Sequence, residues 1–246
     1  MDPLLKESLK KFFEEEFASL IVKKLQEGHS LRKFRVNPFI LTALSSGVFG
    51  EQSSINMAKA LLYPRVFGTS ISTTFGDKMQ KLCVKFLGAS ASGTPGMDIE
   101  FDDKTEGQRI TMQLKAGPNT INSGDVKPIL EDMNKAYRLL QQNRISTMPT
   151  FAIGITYGSM MEISGHYKKL QASPVGAQQN VKIYIGQDFW HRLTGVPTFY
   201  NEMIAIFVDL FEKEDYSILL NEDLSCLAEE IEVKYFSNGK IDMSKF

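Results

Sequence analysis

Three polar residues have the types and the spacing needed to hydrolyse a phosphodiester. Asp98 lies near the start of one stretch of alternating polarity, and Gln113 and Lys115 lie at the end of the next. A carboxylate and an amide oxygen are suitable ligands for a hard divalent cation, and the Leu114 carbonyl can supply another oxygen. Such a cation neutralises the phosphate and lowers the pKa of its bound water. The Lys115 ammonium can orient that water and stabilise the charge at phosphorus.

The two stretches around these residues alternate between apolar and polar side chains, which predicts two half-buried strands. The polar segment 103–108 between them contains one glycine and predicts a hairpin loop. A turn centred between residues 105 and 106 places Asp98 opposite Gln113, with Lys115 as a diagonal neighbour. Opposed side chains in a hairpin are about 5 Å apart. This register therefore brings the three residues to one face, and a slip of one residue would separate them.

The same residues resemble the motif of the PD-(D/E)-x-K nuclease superfamily, and within it the type II restriction endonucleases. Pro95–Asp98 resembles the first half of the motif, with two residues between Pro and Asp. Gln113–Lys115 resembles the second half, with Gln in place of the usual acid. Residues 113–122 are similar to the strand-to-helix passage of restriction enzymes, and residues 185–195 are similar to their late strand and helix. The resemblance covers residues 66–200.

The resemblance implies Mg²⁺-dependent, sequence-specific cleavage of double-stranded DNA by a homodimer. It also implies a prokaryotic cytoplasm and a cognate DNA methyltransferase in the same restriction-modification system. Two alternatives stay open from the sequence. One is a repair or recombination nuclease of the same fold, and the other is a DNA-binding protein that does not cleave, in which Gln113 replaces a lost acid.

The Gln at position 113 suggests that a further carboxylate completes the cation site, because a neutral amide is a weaker ligand than an acid. Glu100 lies on the same predicted strand face as Asp98. In the resembling family the helix before the hairpin sometimes supplies this acid, and Asp77 and Glu51 are the candidates here. For Asp77 an equally simple reading is an acid that complements the dipole of its helix.

The segment after Lys115 contains the candidate DNA contacts. It is a loop by composition and is followed by a predicted helix from a cap at Asp125 to about residue 143. A helix N-terminus beside a lysine suits a phosphate group. The candidate DNA-binding residues are Asn119, Asn122, Ser123 and Lys127. For the two asparagines, hydrogen bonding to the backbone of a turn is the alternative.

The pattern of the whole chain predicts an α/β fold that resembles restriction endonucleases: a central mixed β-sheet flanked by α-helices, with additional N- and C-terminal helices. Residues 1–246 are expected to form a single catalytic domain, with 1–65 a helical part for DNA binding or dimerisation. The periodicity predicts two further buried strands and a long polar loop over 158–180. Helices are predicted over residues 3–27, 38–63, 74–88, 187–194, 197–213 and 222–234.

Composition sets weaker bounds on function. The net charge of −1 argues mildly against a nucleic-acid partner, but a local basic cleft is compatible with it. The sequence has no apolar run of about 18 residues and no secretory signal, so no membrane partner is expected. Cys83 and Cys226 are predicted to be reduced thiols in the core.

Overall fold

The computed structural model describes residues 1–28, 30–145, 147–176, 179–213 and 215–246, without the side chains of residues 67, 69–73 and 179. These residues form two compact units. The first unit contains residues 1–12 and 75–208, and the second contains residues 13–74 and 209–246. A single catalytic domain over residues 1–246 stays a prediction.

The helices and strands alternate along the middle of the chain. The helices are α1 (Pro3–Phe13), α2 (Ser19–Gln26), α3 (Pro38–Gly47), α4 (Ser54–Tyr63), α5 (Ile71–Phe86), α6 (Ser123–Gln142), α7 (Gly165–Gln171), α8 (Gln187–Thr194), α9 (Phe199–Glu212) and α10 (Ser217–Tyr235). The strands are β1 (Ser90–Ala91), β2 (Ile99–Asp102), β3 (Arg109–Lys115), β4 (Thr150–Ile155), β5 (Pro174–Val175), β6 (Gln179–Asn180), β7 (Lys182–Ile185), β8 (Phe236–Ser237) and β9 (Lys240–Ile241). None of the described helices is long and apolar enough to cross a bilayer.

Five strands of the first unit form one mixed sheet in the order β1-β2-β3-β4-β7. The pairs β1–β2 and β2–β3 are antiparallel, whereas β3–β4 and β4–β7 are parallel. All six residues of β4 are buried, as expected for a strand with parallel neighbours and covered faces. The predicted α/β fold with a mixed sheet and flanking helices is confirmed.

The predicted register of the β2–β3 hairpin is also confirmed. Glu100 lies opposite Thr111, as a turn centred between residues 105 and 106 requires. Asp98 lies just before β2 and donates its backbone N–H to the Met112 carbonyl at 2.9 Å. Backbone pairing therefore continues beyond β2 to Asp98, one of the three predicted catalytic residues.

A buried ion pair fixes the turn of this hairpin. The Asp103 side chain accepts from the backbone N–H of Thr105 at 2.8 Å and from that of Glu106 at 3.3 Å. Its other oxygen is 2.7 Å from Nη1 of Arg192 on α8, and the Asp103 side chain is fully buried. Arg192 also contacts Glu106 at 2.8 Å and Asp188 at 3.1 Å. The turn is thus held by its own backbone and by a neighbouring helix.

Replacing Asp103 with Ala is expected to lower the free energy of unfolding by about 2 kcal/mol. The variant loses the contacts of the Asp103 carboxylate with Thr105, Glu106 and Arg192. One hydrogen bond to a charged group is worth about 1.5–3 kcal/mol, and the loss is limited because Arg192 keeps two other acids as partners. Urea unfolding monitored by circular dichroism measures the change. Asp102→Ala is the matched control because Asp102 is an exposed neighbour. Equal stability of the two variants would contradict this role of Asp103.

Several local predictions are wrong, each for a structural reason. The helix predicted over 38–63 is interrupted, because Gly50 takes a φ of +94° and the Ser53 side chain caps α4. The predicted helices 38–63 and 74–88 leave a break between them, yet a π-helical segment, Pro64–Ser70, follows α4 directly and is followed by α5. Pro64 has a φ of −62° and so continues the helical path. The predicted loop 158–180 contains α7 and the β5–β6 hairpin, and its residues 177 and 178 lie outside the described residues.

The second unit has a helical core of its own. Its buried side chains come mainly from α2, α3, α4 and α10, and include Leu25, Leu41, Met57, Leu62, Leu227 and Ile231. The predicted N-terminal helix is confirmed as α1 and α2 joined by a π-helical turn at Glu14–Ala18. Cys83 of the first unit is buried as predicted, but Cys226 on α10 is exposed and is not a core thiol.

Candidate active site

A cavity of about 240 Å³ lies in the first unit, at the carboxyl ends of the parallel strands β3 and β4. Its lining contains Asp98, Gln113 and Lys115, so the structure brings together the three residues that were predicted to converge. The rest of the lining is formed by Gly76, Asp77, Gln80, Leu114 and Thr156. The hairpin supplies one wall, and α5 and the residue after β4 supply the others.

Asp98 is half-buried and held by backbone contacts. Its Oδ2 accepts from the Leu114 backbone N–H at 2.6 Å, and Gln80 Nε2 donates to the Asp98 carbonyl at 3.2 Å. Burial raises the pKa of the Asp98 carboxyl, while the Leu114 hydrogen bond and the Lys115 charge lower it and the Asp77 charge raises it again. The net shift is upward. The fold therefore holds a carboxylate in a place where its charge is costly, which is common for groups with a chemical role.

The two polar atoms of the Gln113 side-chain amide, Nε2 and Oε1, have different surroundings. Its Nε2 donates to the Gly96 carbonyl at 2.9 Å. Its Oε1 is buried and accepts no hydrogen bond from the residues that the structure describes. A buried acceptor without a donor is costly unless a ligand uses it. The oxygen therefore fits a role as a cation ligand beside the Asp98 carboxylate.

The backbone around Lys115 is fixed by residues that follow β4. The Thr156 N–H donates to the Lys115 carbonyl at 3.1 Å, and Thr156 Oγ1 donates to the Ala116 carbonyl at 2.7 Å. The buried Trp190 Nε1 donates in turn to the Thr156 carbonyl at 2.8 Å. Trp190 lies in the core as its type predicts, but its link to the cavity through Thr156 was not predicted from the sequence.

The three candidate acids have different environments. Asp77 lines the cavity. Glu100 does not, because its carboxylate accepts from Ser92 Oγ at 2.7 Å and pairs with Arg109 at 3.3 Å. Glu51 belongs to the second unit. Of the three acids, only Asp77 is part of the cavity wall. Gln80 is also part of this wall, and it was not predicted from the sequence. Asp77 and Gln80 are three residues apart on α5, and residues at this spacing share one face of a helix. This spacing is the signal that could have identified Gln80.

The candidate DNA contacts Asn119, Asn122, Ser123 and Lys127 are all exposed and lie between β3 and the first turns of α6. The N-cap of α6 is Asn122 rather than the predicted Asp125. Asn122 Oδ1 accepts from the Gly124 N–H at 2.7 Å, and Asp125 Oδ2 accepts from the Asn122 N–H at 2.7 Å. This reciprocal capping box is the backbone-bonding alternative considered for Asn122.

Replacing Asn122 with Ala is expected to lower the free energy of unfolding by about 1 kcal/mol, because α6 loses its cap. Chemical unfolding measures the loss. Asn119→Ala is the matched control, because Asn119 is exposed and lies in the preceding loop. If both variants were as stable as the unmodified protein, the cap would contribute nothing to the stability of α6.

A family model for the type II restriction endonuclease EcoO109I matches residues 1–215 of the chain. The chain belongs to this family of type II restriction endonucleases. Membership makes it a site-specific deoxyribonuclease, and it assigns cleavage of DNA at specific sequences as the activity of the family. The restriction endonuclease match includes every residue that lines the cavity. A comparison with curated proteins gave no match.

Proposed function

We propose that the cavity is the active site of this restriction endonuclease and that it hydrolyses DNA phosphodiesters with Mg²⁺. The observation that carries the proposal is the buried Gln113 Oε1, which accepts no hydrogen bond from the described part of the chain and belongs to the wall that also holds Asp98 and Lys115. Asp98, Gln113 and the Leu114 carbonyl would hold the cation, and Asp77 would add a second carboxylate. Oxygen atoms of this kind are the ligands that Mg²⁺ prefers.

A divalent cation bound there would neutralise charge on the scissile phosphate and make an attacking water more acidic. The protein's own contribution is largely electrostatic. Lys115 is half-buried in the cavity wall, and its ammonium can orient the water and stabilise the charge that develops on the phosphate oxygens. The hydrogen bonds of Thr156 to the backbone on either side of Ala116 hold Lys115 in place.

We further propose that two copies of the chain act together on double-stranded DNA. Type II enzymes commonly read short palindromes, and a two-fold protein dimer matches the symmetry of such a site. Asn119, Ser123 and Lys127 would contact the DNA from the loop and helix that follow β3. A methyltransferase that modifies the same sequence would protect the host genome, without direct contact between the two proteins.

Incubation of the protein with plasmid DNA and Mg²⁺ tests the proposed activity. Discrete, reproducible fragments are expected, and a chelator should prevent their formation. A smear, or preferential cutting of branched DNA, would instead indicate a structure-specific repair nuclease. A gel shift without any cleavage would indicate a DNA-binding protein and would overturn the proposal.

Lys127→Ala is expected to weaken binding to every DNA sequence and to reduce the slope of log affinity against log salt by about 1. The reason is that the Lys127 side chain is 87% exposed and its contact with Glu131 is long, at 3.8 Å, which leaves the ammonium accessible to a phosphate. Titration of a fluorescent duplex at several salt concentrations, with Ca²⁺ in place of Mg²⁺, measures the slope. The control is Lys182→Ala on β7, and an unchanged slope for Lys127→Ala would remove Lys127 from the DNA contacts.

A further inference from the structure

One backbone carbonyl in the turn that precedes β2 accepts a hydrogen bond from Gln113, a residue of the cavity wall. Gly96 lies in this turn with a φ of +84°, a conformation that favours glycine. Its carbonyl oxygen is the acceptor for Gln113 Nε2 at 2.9 Å. A Cβ atom at Gly96 would lie only 2.5 Å from the Cβ of Asp132 on α6. The positive φ and the close packing against α6 therefore both favour glycine at position 96.

A carbonyl oxygen only accepts hydrogen bonds, so the atom of residue 113 that faces it must be a donor. The Gln113 amide has a donor at one end and an acceptor at the other. With Nε2 directed at Gly96, Oε1 must occupy the opposite position, where it is buried and unpaired. The reverse orientation would place two acceptor oxygens against each other. The Gly96 carbonyl thus selects one of the two orientations of the amide.

A carboxylate at position 113 cannot satisfy this arrangement, because an ionised acid has no donor. It would turn an oxygen toward the Gly96 carbonyl or leave the position that Oε1 occupies. It would also add a third carboxylate to a cavity that contains Asp98 and Asp77 and one lining cation, Lys115. Beyond the cavity wall, Asp132 against Gly96 carries a further acidic group, which Lys135 contacts at 3.2 Å.

We infer that the Gly96 carbonyl is a positioning group that aims Gln113 Oε1 into the active site, and that this site requires Gln rather than the acid usual in the resembling motif. The inference rests on the proposed function of the cavity. Glutamine at position 113 is then a specific feature of the site and not a decayed acid. Restoring the usual acid impairs the enzyme instead of improving it.

Nuclear magnetic resonance on the unmodified, metal-free protein tests the orientation directly. The side-chain amide signal of Gln113 is assigned by its disappearance in Gln113→Met. At least one Nε2 proton is expected to exchange with solvent tenfold or more slowly than those of Gln142, an exposed glutamine on α6. Addition of Mg²⁺ alone should shift the signal while the slow exchange persists. Exchange as fast as that of Gln142 would overturn the inference.

Cleavage by Gln113→Glu tests the consequence. Its single-turnover rate is expected to be at least tenfold below that of the unmodified enzyme. Gln142→Glu carries the same charge change on an exposed position and should cleave normally. Cleavage by Gln113→Glu that equals or exceeds that of the unmodified enzyme would overturn the inference. Because the exchange is measured on the unmodified protein, it tests the orientation of the Gln113 amide even if Gln113→Glu fails to fold.

Failure of the proposed function would give different experimental results from failure of the inference. If Mg²⁺ leaves the Gln113 amide signal unchanged and Asp98→Asn cleaves normally, the cavity is not the active site. A slowly exchanging Gln113 amide would then still support the orientation by Gly96. If the Gln113 amide exchanges fast in an enzyme that needs Asp98 for cleavage, the inference is overturned and the proposed function is not.

Discussion

Lys115→Ala is expected to reduce the rate of DNA cleavage about a thousandfold, because removal of one group that stabilises developing charge in an active site commonly costs that much. Binding should change little, since the Lys115 side chain lies in the cavity wall and not among the exposed residues proposed to contact DNA. Single-turnover cleavage of a plasmid measures the rate, and a gel shift in Ca²⁺ measures the affinity.

The matched control for this experiment is Lys182→Ala, which removes an exposed lysine from β7 of the same sheet. It should cleave at the rate of the unmodified enzyme. A rate for Lys115→Ala within tenfold of the unmodified rate would show that Lys115 does not stabilise the reaction. An equal loss in both variants would point to damage of the sheet instead.

Asp98→Asn is the second change with a large expected effect. It should abolish measurable Mg²⁺ binding and lower cleavage about a thousandfold, because the charge stabilisation that a cation provides amounts to several kcal/mol. An Asn side-chain oxygen can still accept from the Leu114 N–H, so the fold should persist. Calorimetric titration with Mg²⁺ measures the affinity. Asp102→Asn, an exposed acid at the end of β2, is the control.

The same variant is expected to be more stable than the unmodified protein at pH 8 without metal. Burial raises the pKa of Asp98. A group with a raised pKa in the folded state contributes stability below its unfolded pKa of about 4 and loses it as the pH rises through the folded pKa. Asn does not titrate, so the difference in the unfolding midpoint between variant and unmodified protein should shrink toward pH 4. A lower midpoint for Asp98→Asn at pH 8 would contradict this account.

The hairpin of the candidate site was predictable because its determinants are local. Alternation of polarity assigned the two strands, and a short symmetric turn set the register that places Glu100 opposite Thr111. The resulting approach of Asp98 to Gln113 needed no knowledge of the rest of the fold. The family match over residues 1–215 independently supports the interpretation of the chain as a restriction endonuclease.

Which of the candidate acids lines the cavity was not predictable from the sequence, because it depends on packing between distant segments. Glu100 lies on the predicted strand, but its carboxylate is taken up by Ser92 and Arg109. Asp77 reaches the cavity from α5, and alternation along a strand does not indicate where a helix crosses it. The sequence also failed over 158–180. There α7 has seven residues and β5 and β6 have two each, so no periodic pattern can develop.

The ion pair between Asp103 and Arg192 has a consequence for how related sequences can diverge. It ties residues 103–108 to α8, so the number of residues between the two halves of the motif is constrained as well. Loss or gain of one residue there would exchange the faces of β3 and carry Gln113 and Lys115 out of the cavity. Homologues that retain this pair should therefore vary at the turn by substitution, and insertions and deletions should accumulate in other surface loops.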